Sequence, residues 1–276
     1  MSAQNLLKTG DLFGALTALE AAVRAAPADA RLRVFLFQLL SVAGDWPRAA
    51  RQLQTATRLD PAAAPMAETY SAAIHCERSR DSALRGETPA PFDEDASSWL
   101  SVLWDAVGKQ AASDVAGAER LRAMALRAAP AVGGTVNGRP FDWIADADSR
   151  FGPVFEVILN GTYRWLPFAD LREIRMSPPQ DLRDLIWAPV ALTLACGTQA
   201  GGLVPVRYPA TAFHGTDAQK LARSTDWLTV PGGAPEGLGQ RMLCTPDQDI
   251  PLLELREITF EQSTRELAPL QEARHG

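Results

Sequence analysis

Apolar, small and turn-forming positions recur in one register at the start of the chain. Leu6, Gly10, Asp11, Ala15, Leu19, Ala22 and Pro27 reappear 34 residues later as Leu40, Gly44, Asp45, Ala49, Leu53, Ala56 and Pro61. A period of this length predicts tetratricopeptide-like helical hairpins. In each unit the glycine ends a first helix, the aspartate caps the second, the alanine lets the two helices approach, and the proline closes the unit. A third copy ends at Pro130, with Ala125, Ala118 and Asp114 at the matching distances and Ser113 where the earlier copies carry glycine. Between the second and third copies, Ala64 to Ser82 reads as a lone first helix with Ile74 in the place of Leu6 and Leu40, and a Pro- and acid-containing connector follows near 85–95. The alternative for such an alanine-rich pattern is an ordinary helical bundle; seven coincident positions in one register argue against it.

After about Val132 the periodicity shortens. Val154–Leu159, Asn160-Gly161 and Thr162–Leu166 read as two strands joined by a type I′ turn. Further strands are expected at Leu171–Met176, Ala191–Ala195, Gly202–Val206, Gln240–Leu243 and Leu252–Ile258, with a helix at Asp217–Thr225. Short strands close in sequence pair antiparallel, and this number suffices for a small barrel or a bent sheet. The expected fold is α+β: a helical-repeat domain over 1–131, a mainly antiparallel β domain over 132–260, and a polar tail over 261–276.

Composition narrows the class. The 276 residues are 46% hydrophobic and 22% charged, which fits a globular protein and excludes disorder and fibres. Apolar stretches such as Val34 to Ala43 fall short of the roughly 20 residues that cross a bilayer, and no signal-peptide pattern opens the chain. A cytoplasmic location is expected. Three scattered cysteines, Cys76, Cys196 and Cys244, fit reduced thiols better than a disulfide framework or a zinc site. The net charge of −6 gives no reason to approach nucleic acid or an anionic membrane.

Two carboxylate pairs carry the enzymatic alternative. Asp146 with Asp148, and Asp181 with Asp184, have spacings that can hold a hard cation in a metal-dependent hydrolase or nucleotide-binding domain. The competing reading is loop scaffolding, with Arg150 and Arg183 bonding the neighbouring carboxylates. No histidine accompanies either pair, and Gly237-Leu-Gly239 lacks the remaining glycine of a dinucleotide loop. The aromatics Trp143, Phe151, Tyr163, Trp165, Trp187, Tyr208 and Trp227 are expected in the core, the alternative being an exposed aromatic-Arg patch. Tyr163 and Trp165 share one strand face and Arg164 points the other way.

Five stretches of the second half carry a resemblance. They are Ile144-Ala-Asp-Ala-Asp-Ser-Arg-Phe-Gly-Pro, Pro178-Pro-Gln-Asp-Leu-Arg-Asp-Leu-Ile-Trp-Ala-Pro, Pro205-Val-Arg-Tyr-Pro, Leu221-Ala-Arg-Ser-Thr-Asp-Trp and Gly237-Leu-Gly-Gln-Arg-Met-Leu. In combination the chain resembles the ImpE/SciE/TagJ accessory proteins of bacterial type VI secretion, over nearly its whole length to about Phe260. The resemblance implies a cytoplasmic, non-catalytic adaptor without cofactor or metal. It implies a partner helix from the small sheath subunit and a link to the AAA+ ATPase that disassembles contracted sheaths.

The repeat register places a site for such a helix. First helices of successive repeats line a groove that takes an amphipathic helix through anchors at i, i+3, i+4 and i+7. The second unit puts Arg31, Val34, Gln38 and Ser41 on that inner face, and the next first helix puts Glu68, Ala72 and His75 there. Arg31 and Glu68 have the alternative of pairing with each other across adjacent helices.

Overall fold

The computed structural model describes residues 2–93 and 96–261. The helical half comprises α1 (Ala3–Lys8), α2 (Leu12–Ala25), α3 (Ala30–Ala43), α4 (Trp46–Leu59), α5 (Ala64–Leu84), α6 (Ser98–Ala111) and α7 (Val115–Ala128). Each expected aspartate cap is made: Asp11 accepts from Gly14 N at 2.7 Å, Asp45 from Arg48 N at 3.1 Å and Asp114 from Gly117 N at 2.9 Å. These bonds satisfy donors that the first helical turn leaves open. Ala15, Ala49 and Ala118 are fully buried between paired helices, as the register requires. The turns between the helices of the three pairs share one hydrogen-bond pattern. Gly10 N reaches Leu7 O and Asp11 N reaches Leu6 O; Gly44 and Asp45 repeat this on Ser41 and Leu40, and Ser113 and Asp114 on Gln110 and Lys109. The left-handed residue of that motif is Gly10 (φ 85°), Gly44 (φ 84°) and Ser113 (φ 63°). The third copy therefore folds like the first two despite its serine.

The second half contains β1 (Gly134–Val136), β2 (Arg139–Phe141), β3 (Ala145–Asp146), β4 (Val154–Leu159), β5 (Thr162–Pro167), β6 (Leu171–Met176), β7 (Trp187–Leu194) and β8 (Gln199–Pro205). Two short helices follow, α8 (Thr211–His214) and α9 (Asp217–Lys220), then β9 (Thr225–Leu228), β10 (Glu236–Gly239), β11 (Met242–Cys244), β12 (Asp249–Pro251) and β13 (Glu257–Phe260). Among the described residues, eight strands form one antiparallel sheet in the order β2-β1-β13-β6-β7-β8-β4-β5. β9 and β10 form a separate ribbon, and β12, β11 and β3 a small third sheet. The expected β4–β5 hairpin is present, with φ of 49° at Asn160 and 72° at Gly161.

The main sheet is open, which corrects the barrel alternative. Closure needs its two edges to meet, and both are blocked. β2 is three residues long with Pro140 in the middle, which removes a ladder donor. The outer edge of β5 is already used, Trp165 N donating to Pro91 O of the connector at 2.9 Å. Other boundaries move as well. The strand expected over Leu252–Ile258 is a 3-10 turn at Leu252–Glu254 followed by β13, and the helix expected to reach Thr225 ends at Lys220, before Ala222 turns left-handed at φ 53°. β1 and β2 add a hairpin beyond the expected strands, and its turn, Asn137-Gly138 (φ 49° and 80°), repeats the dipeptide of the β4–β5 turn.

Apolar clusters pack on both faces of the sheet. Phe155, Val157, Ile174, Leu192, Val204 and Ile258 belong to one; Ile158, Trp165, Trp187 and Leu203 belong to the other, together with Leu19, Leu39, Leu53 and Leu103 of the helices. Alternation along β4 divides its side chains between the two. The second cluster is continuous across the boundary expected at residues 131 and 132. The tail from 262 onward, like Glu94 and Asp95 of the connector, lies outside the described residues.

Candidate partner-binding surface

α3 and α5 turn one face toward the sheet half. The rings of Phe37 and Tyr70 meet at a tilt, with centroids 5.8 Å apart, Tyr70 meets Trp187 of β7 at 5.8 Å, and Trp46 meets the same Trp187 ring at 5.7 Å. Arg183 lies over the Tyr70 ring at 4.8 Å, a cation–π contact. Further along α5, Glu77 accepts from Trp187 Nε1 at 3.0 Å, and Arg80 forks onto both oxygens of Glu156, each at 2.7 Å. The inward face of α5 thus runs through Tyr70, Ala73, Glu77 and Arg80.

The residues expected in the groove lie beside that face. Glu68 and His75 are exposed and Ala72 is half-buried. On α3, Arg31 is exposed and Val34 and Gln38 are half-buried. Ser41 is a correction: it is fully buried, its hydroxyl donates to Phe37 O at 2.9 Å, and it has no surface to offer a partner. Arg31 and Glu68 form no ion pair with each other among the described residues. His75 lines a cleft of about 320 Å³ between α5, the connector and the β4–β5 turn, with Ser79, Ala83, Pro89, Thr162 and Arg164 on its walls. Arg164 does point away from Tyr163 and Trp165, pairing with Asp93 at 2.9 Å. Tyr163 and Trp165 are buried with Phe151, Trp187 and Tyr208, whereas Trp143 and Trp227 remain exposed.

A chain of buried charges runs behind this surface. Glu156 sits between Arg80 and Arg241, accepts from the Tyr163 hydroxyl, and lies 2.8 Å from Arg241 Nη1 in an ion pair outside hydrogen-bonding direction. Burial pushes its carboxyl up, but the two guanidiniums outweigh this and hold it below the usual range. Arg241 also forks onto Asp146 Oδ2, at 2.9 and 2.5 Å, and Tyr208 donates to Asp146 Oδ1 at 3.0 Å. Desolvation dominates at Asp146, raising its carboxyl to about 6 against the pull of Arg241. Asp148 binds Arg150 and accepts from Gly237 N at 2.8 Å. Asp181 pairs with Arg183, and Asp184 accepts from Gln180 N and Asp181 N. Every carboxylate of the metal-site alternative is thus engaged by arginine or backbone. No group of three or more His, Cys, Asp or Glu among the described residues is placed to hold a metal ion. Glu156, Arg207 and Arg241 escaped sequence reasoning; the available signal was a charge inside an otherwise apolar or glycine-flanked strand, as in Val154–Leu159.

Comparison with known proteins places these features in a family. A model of the ImpE protein family matches residues 138–259, from the end of the first hairpin turn into β13. A protein of Pseudomonas aeruginosa PAO1 named Type VI secretion system accessory component TagJ is 46% identical over 262 residues, covering 95% of this chain and 92% of that protein. The chain belongs to the ImpE family. An X-ray crystal structure of a Vibrio parahaemolyticus protein shares the fold of this ImpE-family chain, with a TM-score of 0.85, 24% identity and coverage of 95% of this chain and 98% of the other. The TagJ match spans the helical half as well, so the family relationship includes α3 and α5. No helix among the described residues is long and apolar enough to cross a membrane.

Proposed function

We propose that this protein is a non-catalytic, cytoplasmic accessory component of a type VI secretion system that works by binding other proteins of that system. The observation that carries the reading is the 46% identity to TagJ over nearly the full length of both chains. The partner is the small sheath subunit, bound through a helix, with a link to the AAA+ ATPase that disassembles contracted sheaths, as the family resemblance implies. The site is the strip beside the inward faces of α3 and α5, formed by Arg31, Val34, Gln38, Glu68, Ala72 and His75. Supporting this, the strip leaves charged and apolar side chains accessible on packed helices, and the cleft at His75 offers a recess for one anchor side chain.

Isothermal titration with a synthetic N-terminal helix of the small sheath subunit tests the site. Arg31→Glu combined with Val34→Trp removes binding while circular dichroism stays unchanged. Wild-type affinity in a folded double variant excludes the strip as the site; absence of binding to the wild-type protein excludes the partner.

A further inference from the structure

The segment 207–223 of the sheet half reaches back to the ends of three helices. Arg207 Nη1 donates to Val42 O at 2.8 Å and Nη2 to Ser41 O at 3.3 Å, both in the last turn of α3, while Nη1 also meets Lys220 O at the end of α9 at 2.7 Å. Asp217 accepts from Leu12 N, the first residue of α2, at 2.9 Å. Arg223 donates to Leu7 O near the end of α1 at 2.8 Å. Cations thus meet two helix C-termini and a carboxylate meets an N-terminus, the arrangement that opposes each helix dipole. At the end of α3 the packing is close enough that a Cβ on Gly44 would lie 2.8 Å from Ala212 O of α8.

Arg207 differs from the other buried arginines. Arg80 and Arg241 each have carboxylate partners, whereas every hydrogen bond that the Arg207 side chain donates ends on a main-chain carbonyl. Burial pushes its guanidinium down to about 10, so it still carries its proton at neutral pH. Glu77 attracts this charge but accepts no hydrogen bond from it, so the buried guanidinium holds those carbonyls where they are: moving them leaves its N–H donors unsatisfied in the interior. Its own main-chain oxygen accepts from Arg80 Nη1 at 3.1 Å, which joins α5 to the same point.

We propose that residues 207–223 are a clamp through which the sheet half sets the relative placement of the first two helical hairpins, α1–α2 and α3–α4, with Arg207 as its central positioning residue. In a free-standing repeat array, neighbouring repeats alone set the curvature through their shared interfaces. Here the turns at Gly10 and Gly44, on one end of both hairpins, are held from outside the array. The third pair, α6–α7, is held elsewhere: Glu119 accepts from Ala234 N at 3.0 Å, and Gln110 bonds Glu236.

Hydrogen exchange followed by mass spectrometry on the full-length protein tests this. In Arg207→Met, amides of the last turn of α3 and of the Gly10 turn exchange at least ~10-fold faster, while α6–α7 keeps its wild-type rates. Arg207→Lys, which retains the charge, restores most of the protection. In Arg223→Gln and Asp217→Ala, faster exchange is confined to residues 7–14, with the Leu12 amide most affected. Unchanged exchange at the Gly10 and Gly44 turns overturns the proposal, and so does an equal rise across α6–α7 and the main sheet. Should Arg207→Met fail to fold, Arg223→Gln and Asp217→Ala decide: unchanged exchange over residues 7–14 in both overturns the proposal.

Discussion

Ser113 offers a quantitative test of the repeat register. It occupies the left-handed position of the turn after α6, where both earlier copies have glycine, and the flanking hydrogen bonds are the same in all three turns. A side chain in that conformation costs about 1–2 kcal/mol because Cβ crowds the following carbonyl. Ser113→Gly removes that cost but gives the unfolded chain more freedom, worth about 0.4–1 kcal/mol in the opposite direction. The serine is exposed, so no buried contact is lost. The net expectation is a gain of about 0.5–1 kcal/mol, or roughly 2 °C in the unfolding midpoint for a chain of this size. The reverse substitution at the first copy, Gly10→Ser, loses a similar amount; a Cβ there meets only Arg223 Nη1, at an ordinary 3.4 Å. Urea unfolding of the two variants beside the wild type reads both signs in one experiment. A Ser113→Gly protein less stable than the wild type refutes the equivalence of the third turn with the first two.

Other perturbations reach different parts of the fold. Ala49→Leu overfills the fully buried contact between α3 and α4 and costs about 1–3 kcal/mol, measured by thermal unfolding. Glu156→Gln leaves Arg80 and Arg241 facing a neutral group in the interior and costs about 3–5 kcal/mol by the same measurement. Asp146 gives a pH signature. Its carboxyl is raised in the folded protein from 3.8 to about 6, so its favourable contribution is complete below the unfolded value and disappears as pH rises through the folded one. The stability of the wild type relative to Asp146→Asn therefore falls by about 2 kcal/mol between pH 4 and pH 7, and a flat difference contradicts the assignment.

What could be read from sequence was local. Asp11, Asp45 and Asp114 cap helices through bonds to main chain three residues on, and Asn160-Gly161 sets its own turn, so spacing alone reveals them. The surroundings of the candidate surface are harder to read because they depend on how α5 meets a sheet more than seventy residues further along the chain. That helix buries Ala67, Tyr70, Ala73, Ile74, Cys76, Arg80 and Ala83, spread around most of its circumference, since helices pack on one side and the sheet on the other. A helix buried on several sides has no single apolar stripe to orient it. Register from Ile74 puts Glu68, Ala72 and His75 on one face of α5, and it carries no sign that the neighbouring positions Tyr70, Glu77 and Arg80 meet the sheet half. Glu156 and Arg80 were equally unreadable, each being an unexceptional charge until its partner, 76 residues away, is in place.

The position of Trp187 has a consequence for binding. In a repeat array standing alone, the inner faces of the first helices are exposed and available to a partner helix. In this protein Trp187 sits against Trp46 and Tyr70, and Phe37 meets Tyr70, so the middle of that face is already occupied by the chain's own sheet. A partner reaching this centre would first have to separate these rings and the Arg80–Glu156 pair, exposing a buried charge on each side. The accessible positions are those at its border, where Arg31, Glu68 and His75 face solvent. On the proposed reading, a partner bound along that border would add contacts without breaking any, so substitutions there are expected to change affinity and leave stability alone, whereas substitutions at Tyr70 or Trp187 are expected to change both.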